Sequence, residues 1–110
     1  MGVYTDLTSH WNMDSIAIID PVCGNVCFSE LDSRVRKVAT WLQSQGITPG
    51  QVVCVQAPKS LVLLELILGC LAQGVVILPL NEAYQLDQCL FYLSDSEAAL
   101  YIGPHDIAQI

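Results

Sequence analysis

A run of twenty residues, 61–80, carries a single charged side chain, at Glu65. About 20 apolar residues are enough to cross the hydrocarbon layer of a membrane, so this run constrains the fold more than any other. Two features favour a buried core instead. An acidic side chain inside a bilayer is rare, and Gln73-Gly74 is typical of a helix ending. The β-branched residues after Gly74 then indicate a strand buried on both faces.

The composition indicates that part of the apolar surface of this chain is buried against other protein. Only 14% of the 110 residues are charged, against about 25% in an ordinary soluble domain. A domain of this size buries only about two thirds of its unfolded surface. We therefore expect the remainder of the same polypeptide, or self-association, to cover part of the chain. The net charge of −7 excludes the basic surface that nucleic-acid binding requires.

Five cysteines are distributed along the chain, at Cys23, Cys27, Cys54, Cys70 and Cys89. The last three have apolar neighbours, where a free thiol behaves as a small hydrophobe. The first two flank a predicted turn, but no second cysteine pair gives zinc-site spacing, so we predict no metal site. The first ten residues do not resemble a signal peptide. We expect a cytoplasmic protein with reduced thiols.

A β-hairpin and a helix are predicted before the apolar run. Ile16–Asp20 and residues 25–28 have the composition of strands, with turn-forming residues between them. Ser29 is predicted to cap the helix, and Asp32 completes an acidic capping box. The helix has one apolar stripe, formed by Leu31, Val35, Val38 and Leu42. On the opposite side we expect the polar residues Arg34, Lys37 and Gln43.

From residue 52 onward, strands alternate with helices. The strands are predicted at 52–55, 75–78 and 98–102, and Pro49-Gly50 suits a type II turn before the first of them. One helix begins after Ser60 and has a narrow stripe of polar or small residues, formed by Glu65, Gly69 and Gln73. The other is predicted at 85–93, with an apolar face formed by Leu86, Cys89, Leu90 and Leu93. Glu82 and Asp87 near its start suit the helix dipole.

This order predicts an α/β fold with a small, mostly parallel sheet, helices on its faces and a preceding β-hairpin. We assign residues 1–110 to one incomplete domain, in which residues 1–14 form a loose N-terminal segment. Ligands of such sheets bind at the carboxyl ends of the strands. Here those ends are residues 56–60, 81–84 and 103–106, and none contains a known glycine-rich phosphate loop.

Candidate site residues at these ends have ordinary structural interpretations. Lys59-Ser60 could hold an anion at a helix N-terminus, but a capping serine beside a solvated lysine explains it better. His105-Asp106 is a helix-start signal, because adjacent side chains point apart.

Four further residues are candidates for a site. His10 has no Cys or His partner nearby, and Asp95 and Glu97 fit a solvated loop. Tyr84 is the best candidate, as a ring at a strand end can line a pocket. We predict no catalytic, cofactor-binding or metal residue in the chain.

Three segments in order resemble the start of adenylate-forming enzymes of the acyl-CoA synthetase type. They are "FSELDSRVRKVATWLQSQGITPGQVV", "PKSLVLLELILGCLAQGVVILPLN" and "LFYLSDSEAALYI". "APKS" together with "LPLNEAYQL" is most similar to malonyl-CoA synthetases. The chain departs from the family pattern at Glu82, where most relatives have proline, and at Gln51, where Asp is usual.

The resemblance implies that this chain is the N-terminal scaffold of a longer ATP-dependent synthetase. Such an enzyme converts a carboxylate to an acyl adenylate and then transfers it to coenzyme A. Its ATP, magnesium and coenzyme A sites lie in later segments, so we expect this chain to bind none of them and to be inactive alone. The alternative is a complete, non-catalytic α/β binding or assembly module, covered by self-association or a partner.

Overall fold

A computed structural model describes residues 4–5, 8–20, 24–104 and 106. Its first elements are an antiparallel hairpin of β1 (Ile16–Asp20) and β2 (Gly24–Cys27), followed by helix α1 (Phe28–Ser44). Then come β3 (Val52–Gln56), α2 (Leu61–Gln73), β4 (Val76–Leu80), α3 (Leu86–Asp95) and β5 (Leu100–Ile102). The last three strands form a parallel sheet in the order β4-β3-β5, which confirms the predicted fold class.

The apolar run divides where the sequence predicted. Helix α2 has Ser60 as its N-cap, and Gly74 ends it in the left-handed conformation, with a φ of 73°. Within the described residues, no helix is long and apolar enough to cross a membrane. Gly50, with a φ of 88°, occupies the predicted turn before β3, where Gln51 donates its backbone N–H to Thr48 O.

The central strand β3 is buried, whereas β4 is partly exposed. Val53, Cys54 and Val55 of β3 are each at most 1% exposed, as expected for a strand without a solvent face. Val76 at the start of β4 is 52% exposed, so the prediction that this strand is buried on both faces is wrong for the chain as described. Strand β4 pairs with β3 alone, so one of its sides has no neighbouring strand within the described residues.

Helix α1 begins earlier than predicted and is capped by other means. Its N-cap is Cys27, not Ser29, and no side chain caps it. The backbone N–H groups of Phe28 and Ser29 instead donate to Ser15 O and Met13 O at 3.0 Å. The segment before β1 thus satisfies the N–H groups that a capping side chain would otherwise bind.

Asp32 does not complete a capping box but anchors the N-terminal segment. Its Oδ1 accepts a hydrogen bond from the Tyr4 hydroxyl at 2.8 Å, and its Oδ2 accepts from Arg36 Nε at 2.9 Å. Tyr4 is only 2% exposed, and the ring of Trp11 lies 4.8 Å from that of Phe28. Within the described part of residues 1–14, Tyr4 and Trp11 therefore contact α1.

The polar and small stripe of α2 faces α1. Glu65 Oε1 accepts from Arg34 Nη1 at 3.2 Å, and Gln73 Oε1 accepts from Gln43 Nε2 at 3.0 Å. Between these pairs, Gly69 lies directly against Val38. The four stripe residues of α1 are buried as predicted. Arg34 was predicted on the solvent side but is only partly exposed, because it flanks the contact with α2, whereas Gln43 is exposed as predicted and still reaches Gln73.

Helix α3 leaves most of its expected buried face exposed. Of the four predicted apolar residues, only Cys89 is buried, and Leu86 is 75% exposed. Leu90 and the neighbouring Phe91 are also exposed. No element within the described residues packs extensively against α3, which explains the exposure. Helix α3 therefore carries part of the exposed apolar surface, and other exposed apolar residues lie on the β-hairpin, α2 and β4.

Candidate functional site

The carboxyl ends of the three parallel strands lie side by side. Strand β3 ends at Gln56, β4 at Leu80 and β5 at Ile102, with Gln56 paired to Leu80 and Val55 to Ile102. Side chains that follow the strands therefore converge at one edge of the sheet. In open parallel sheets this edge is where ligands bind. We call residues 81–84, which connect β4 to α3, the edge loop.

Gln56 binds the edge loop through its side-chain amide. Its Nε2 donates to the carbonyl oxygens of Asn81 and Tyr84, both at 3.1 Å, and approaches that of Glu82 at 3.5 Å. Gln56 is only 8% exposed, so these bonds are largely shielded from water. An amide NH₂ has two hydrogens, and the two shorter contacts use both. One side chain thus binds backbone carbonyl groups at both ends of the loop.

The carbonyl oxygen of the same amide is bound from the other side. Gln56 Oε1 accepts from the Tyr101 hydroxyl of β5 at 2.5 Å and from Cys89 Sγ of α3 at 3.5 Å. The backbone carbonyl groups on the other side fix the orientation of the amide, because they can only accept and must face its NH₂ group. The network joins β3, β5, α3 and the edge loop around one buried group.

Two cavities flank the edge loop. One of about 310 Å³ has Lys59, Asn81 and Glu82 among its lining residues. The other, of about 440 Å³, is lined mainly by apolar side chains of α3 together with Gln56, Tyr84 and Tyr101. The loop therefore separates a cavity that has two charged side chains in its wall from one that has none, and Gln56 binds the loop.

The tyrosines of the apolar cavity are held as neutral phenols. Tyr84 stacks on Tyr92 with ring centroids 5.3 Å apart, and its hydroxyl donates to that of Tyr92 at 3.5 Å. This hydrogen bond raises the pKa of Tyr84 above its ordinary value, and burial raises the pKa of Tyr101. Both hydroxyls can donate or accept hydrogen bonds but do not supply negative charge at neutral pH.

Lys59 and Ser60 have the structural roles that we expected, a solvated lysine and a serine that caps a helix. Ser60 Oγ accepts from the backbone N–H of Leu63 at 3.3 Å and caps α2. Lys59 is exposed and lines the smaller cavity. Tyr84 lines the larger cavity, as its position at a strand end suggested.

The remaining predicted residues are not brought together. His105 lies outside the described residues, and Asp106 Oδ2 accepts from the backbone N–H of Gly103 at 2.8 Å, within its own turn. His10 is exposed in a turn near the N-terminus. Asp95 and Glu97 are both exposed at the end of α3, far along the helix from the edge loop.

The cysteines do not assemble a metal site within the described part of the chain. There, no group of three or more His, Cys, Asp or Glu side chains is arranged to hold a metal ion. Cys23 lies outside the described residues, while Cys27, Cys54, Cys70 and Cys89 are free thiols. Cys27 Sγ lies 3.0 Å from Ser29 Oγ, a hydrogen bond that lowers its pKa.

A third cavity, of about 520 Å³, lies between α1, α2 and the N-terminal segment. Tyr4, Arg36, Gln43 and Gln73 are among its lining residues. These polar groups already bind one another or Asp32. The cavity is the largest of the three, but it lies away from the sheet edge and offers few uncommitted polar groups.

The sequence analysis missed Gln56, which forms the centre of the edge network. The available signal was a polar residue that ends an otherwise apolar strand, Val52–Gln56. A buried amide at such a position needs hydrogen-bond partners. Its partners could not be named from the sequence, because they lie 25 to 45 residues further along the chain.

Comparison with known proteins identifies the family. Residues 8–110 match the family of AMP-binding enzymes. The chain belongs to this family. MatB from Rhodopseudomonas palustris, solved without ligand and with bound ATP, is 30% identical to it, with TM-scores of 0.82 and 0.78. Both likenesses cover 89% of this chain and 20% of the MatB chain.

Two curated relatives show how varied the family is. Tyrocidine synthase 3 from Brevibacillus parabrevis is 32% identical over 83 residues, which are 74% of this chain and 1% of the relative. The medium-chain fatty-acid–CoA ligase of Escherichia coli K12 is 26% identical over 101 residues, 92% of this chain and 18% of the ligase. The chain thus spans less than a fifth of either relative.

Proposed function

We propose that this chain is the N-terminal scaffold of an ATP-dependent acyl-CoA synthetase. The match of residues 8–110 to the AMP-binding family carries the proposal. The parallel sheet, the order of its elements and the MatB likeness support it. The reaction would join a carboxylate to AMP with release of pyrophosphate, and coenzyme A would then displace AMP. The use of ATP is supported by the ATP-bound state of MatB.

In this proposal the chain supplies sheet, packing and a binding edge, while the reacting groups lie elsewhere in the full-length enzyme. The described residues do not fit a magnesium ion, because no cluster of suitable ligands is present among them. We therefore derive no metal-assisted step from this chain. The hydrogen-bonding groups and apolar walls of the sheet edge can shape and orient a neighbouring ligand.

Malonate is the first substrate to test, because "APKS" and "LPLNEAYQL" resemble malonyl-CoA synthetases. The medium-chain ligase among the relatives makes simple fatty acids the second choice. The assay is ATP–pyrophosphate exchange with the full-length native protein, followed by formation of the coenzyme A thioester. Exchange that depends on one carboxylate supports the proposal. Absence of exchange with malonate, fatty acids, aromatic acids and amino acids would refute it.

We further propose that the exposed face of α3 is covered by the remainder of the polypeptide. The relatives support this, since each is several times longer than the part that matches. Cytoplasmic location is part of the same proposal, and it agrees with the free thiols at Cys27, Cys54, Cys70 and Cys89.

A stand-alone binding or assembly module is the competing function. The same exposed face favours it, if self-association covers that face. Size measurement of the purified 110-residue chain distinguishes the two proposals. A homogeneous, soluble oligomer without dye-accessible apolar surface would support the module. Aggregation, or strong binding of a hydrophobic dye, would favour the scaffold of a larger enzyme.

A further inference from the structure

Gln56 makes more side-chain hydrogen bonds than any other described residue, and all of them converge on the sheet edge. Its donors reach the edge loop on one side, and its acceptor binds Tyr101 and Cys89 on the other. A buried group of this kind is costly to leave unsatisfied, so the network is maintained as a unit.

The edge loop has little other support. Within the loop, Ala83 N–H donates to Asn81 Oδ1 at 2.9 Å and Tyr84 N–H to Asn81 O at 3.0 Å. Asn81, Glu82 and Ala83 are exposed, so apolar burial contributes little to their position. Tyr84 is the exception, because it stacks on Tyr92 and packs against the cluster of Cys54, Leu80 and Cys89. The contacts to Gln56 are therefore the main polar link between the loop and the sheet.

The loop is also the wall that the two edge cavities share. Asn81 and Glu82 line the smaller cavity with Lys59, and Tyr84 lines the larger. A loop displaced from Gln56 would change the shape of both cavities. We propose that Gln56 is a positioning residue that holds this wall and thereby sets the affinity for the carboxylate substrate. The role in substrate affinity rests on the proposed synthetase function. The role in holding the loop rests only on the hydrogen bonds of Gln56.

Gln56→Glu tests the network with almost no change of shape. The oxygen that accepts from Tyr101 and Cys89 is retained, whereas the NH₂ donors are replaced by an oxygen that faces three carbonyl groups. At about pH 8 the variant should release the loop. As the pH falls, the introduced carboxyl should protonate, because burial and the carbonyl oxygens disfavour its charge. It then regains one donor, and the loop should be partly restored.

Gln73→Glu is the matched control. Gln73 is 6% exposed, against 8% for Gln56, and its side-chain oxygen also accepts a hydrogen bond, here from Gln43. It lies in the contact between α1 and α2 and not at the sheet edge. Tyr101→Phe is a milder variant that keeps both Gln56 donors, in case Gln56→Glu prevents folding.

The first measurement is hydrogen–deuterium exchange of the full-length protein, read from peptides that contain Ala83 and Tyr84. Gln56→Glu should speed exchange of these amides about tenfold at pH 8, equivalent to about 1.4 kcal/mol. Less acceleration is expected at about pH 6, after correction for the intrinsic exchange rate. Tyr101→Phe should give a smaller increase, and Gln73→Glu should leave the loop unchanged. Equal exchange in the Gln56 and Gln73 variants would overturn the positioning role.

The second measurement is ATP–pyrophosphate exchange at varied carboxylate concentration. Gln56→Glu should raise the carboxylate KM several-fold while kcat changes less, and lower pH should reduce the difference from wild type. If the loop becomes mobile in Gln56→Glu but the carboxylate KM is unchanged, the proposed link between loop position and substrate affinity is wrong. If the wild type has no exchange activity, the proposed synthetase function fails, and with it the substrate role. The deuterium measurement would still decide whether Gln56 holds the loop.

Discussion

The contact of Gly69 with Val38 allows a prediction worked from distances. A Cβ added at Gly69 would lie 2.4 Å from Val38 Cγ1 and 2.6 Å from Val38 Cβ. Real Cβ atoms essentially never approach a heavy atom so closely. The Val38 atoms cannot swing aside, because a β-branched side chain in a helix has one strongly preferred rotamer. Gly69→Ala must therefore push α1 and α2 apart.

Two effects of Gly69→Ala oppose each other. Alanine in a helix interior is favoured over glycine by about 1 kcal/mol. Overpacking a filled core costs about 1–3 kcal/mol, and the upper end applies here because the contacting atoms are rigid. The neighbouring pairs Arg34–Glu65 and Gln43–Gln73 also lengthen if the helices separate. We expect a net loss of about 2 kcal/mol in the free energy of unfolding.

Urea unfolding followed by far-UV circular dichroism measures this loss. The midpoint should fall while the slope of the free energy with urea stays constant, since the surface exposed on unfolding is the same. In a thermal scan the loss corresponds to a Tm lower by about 8 °C or more for a domain of this size.

The control is the swap Val38→Gly with Gly69→Ala, which clears both contacting atoms. In a double-mutant cycle the swap should be more stable than the sum of the single changes predicts, by about 1 kcal/mol or more. A single Gly69→Ala variant that is as stable as wild type, or more stable, would refute the reasoning. It would mean that the helices separate at little cost and that helix propensity determines the net change in stability.

Three other predictions follow from the hydrogen bonds and pKa shifts. Arg34→Met leaves the buried Glu65 carboxylate without its arginine partner and should lower the free energy of unfolding in urea by about 1–2 kcal/mol. The loss is smaller than for a fully buried ion pair, because the Arg34 side chain is 37% exposed. Glu65→Gln should lower the free energy of unfolding by less, because it leaves no unpaired charge. Burial raises the pKa of Cys70 from 9.0 to about 11. Its contribution to stability is thus present below about pH 9 and is lost as pH rises through 11; Cys70→Ala should flatten that fall in a pH series of unfolding curves. The hydrogen bond with Ser29 lowers the pKa of Cys27. Ser29→Ala should therefore raise the pH at which alkylation of Cys27 is half-maximal, as measured by mass spectrometry. An unchanged midpoint would contradict this cause.

Local patterns predicted the elements that depend on nearby residues. The stop at Gly74 and the turn at Gly50 follow from a requirement for positive φ within a few residues. The burial of β3 follows from its apolar composition. The capping of α1 could not be predicted in this way, because its first N–H groups bind Met13 O and Ser15 O across the β-hairpin. A cap supplied by distant backbone leaves no signal in the local sequence.

The contact between α1 and α2 shows a different limit of prediction from the sequence. The stripe on α2 was visible as Glu65, Gly69 and Gln73, but a polar stripe usually indicates solvent. Here it indicates a partner helix with matching donors, since Arg34 and Gln43 lie opposite its ends. The stripe by itself could not tell these cases apart. The missing information was which helix packs against which face.

The site depended almost wholly on tertiary structure, and its position connects to the composition of the chain. Leu86 and Leu90, which the fold leaves exposed, are also walls of the apolar edge cavity. Whatever covers α3 therefore also closes that cavity, and the cover changes the environment of Tyr84 and Gln56. Part of the exposed apolar surface thus belongs to the candidate binding edge. Under the proposal that the remainder of the polypeptide covers α3, a change at Leu90 should affect both the docking of that segment and the shape of the cavity, whereas a change at Val76 should leave the shape of the cavity unaltered.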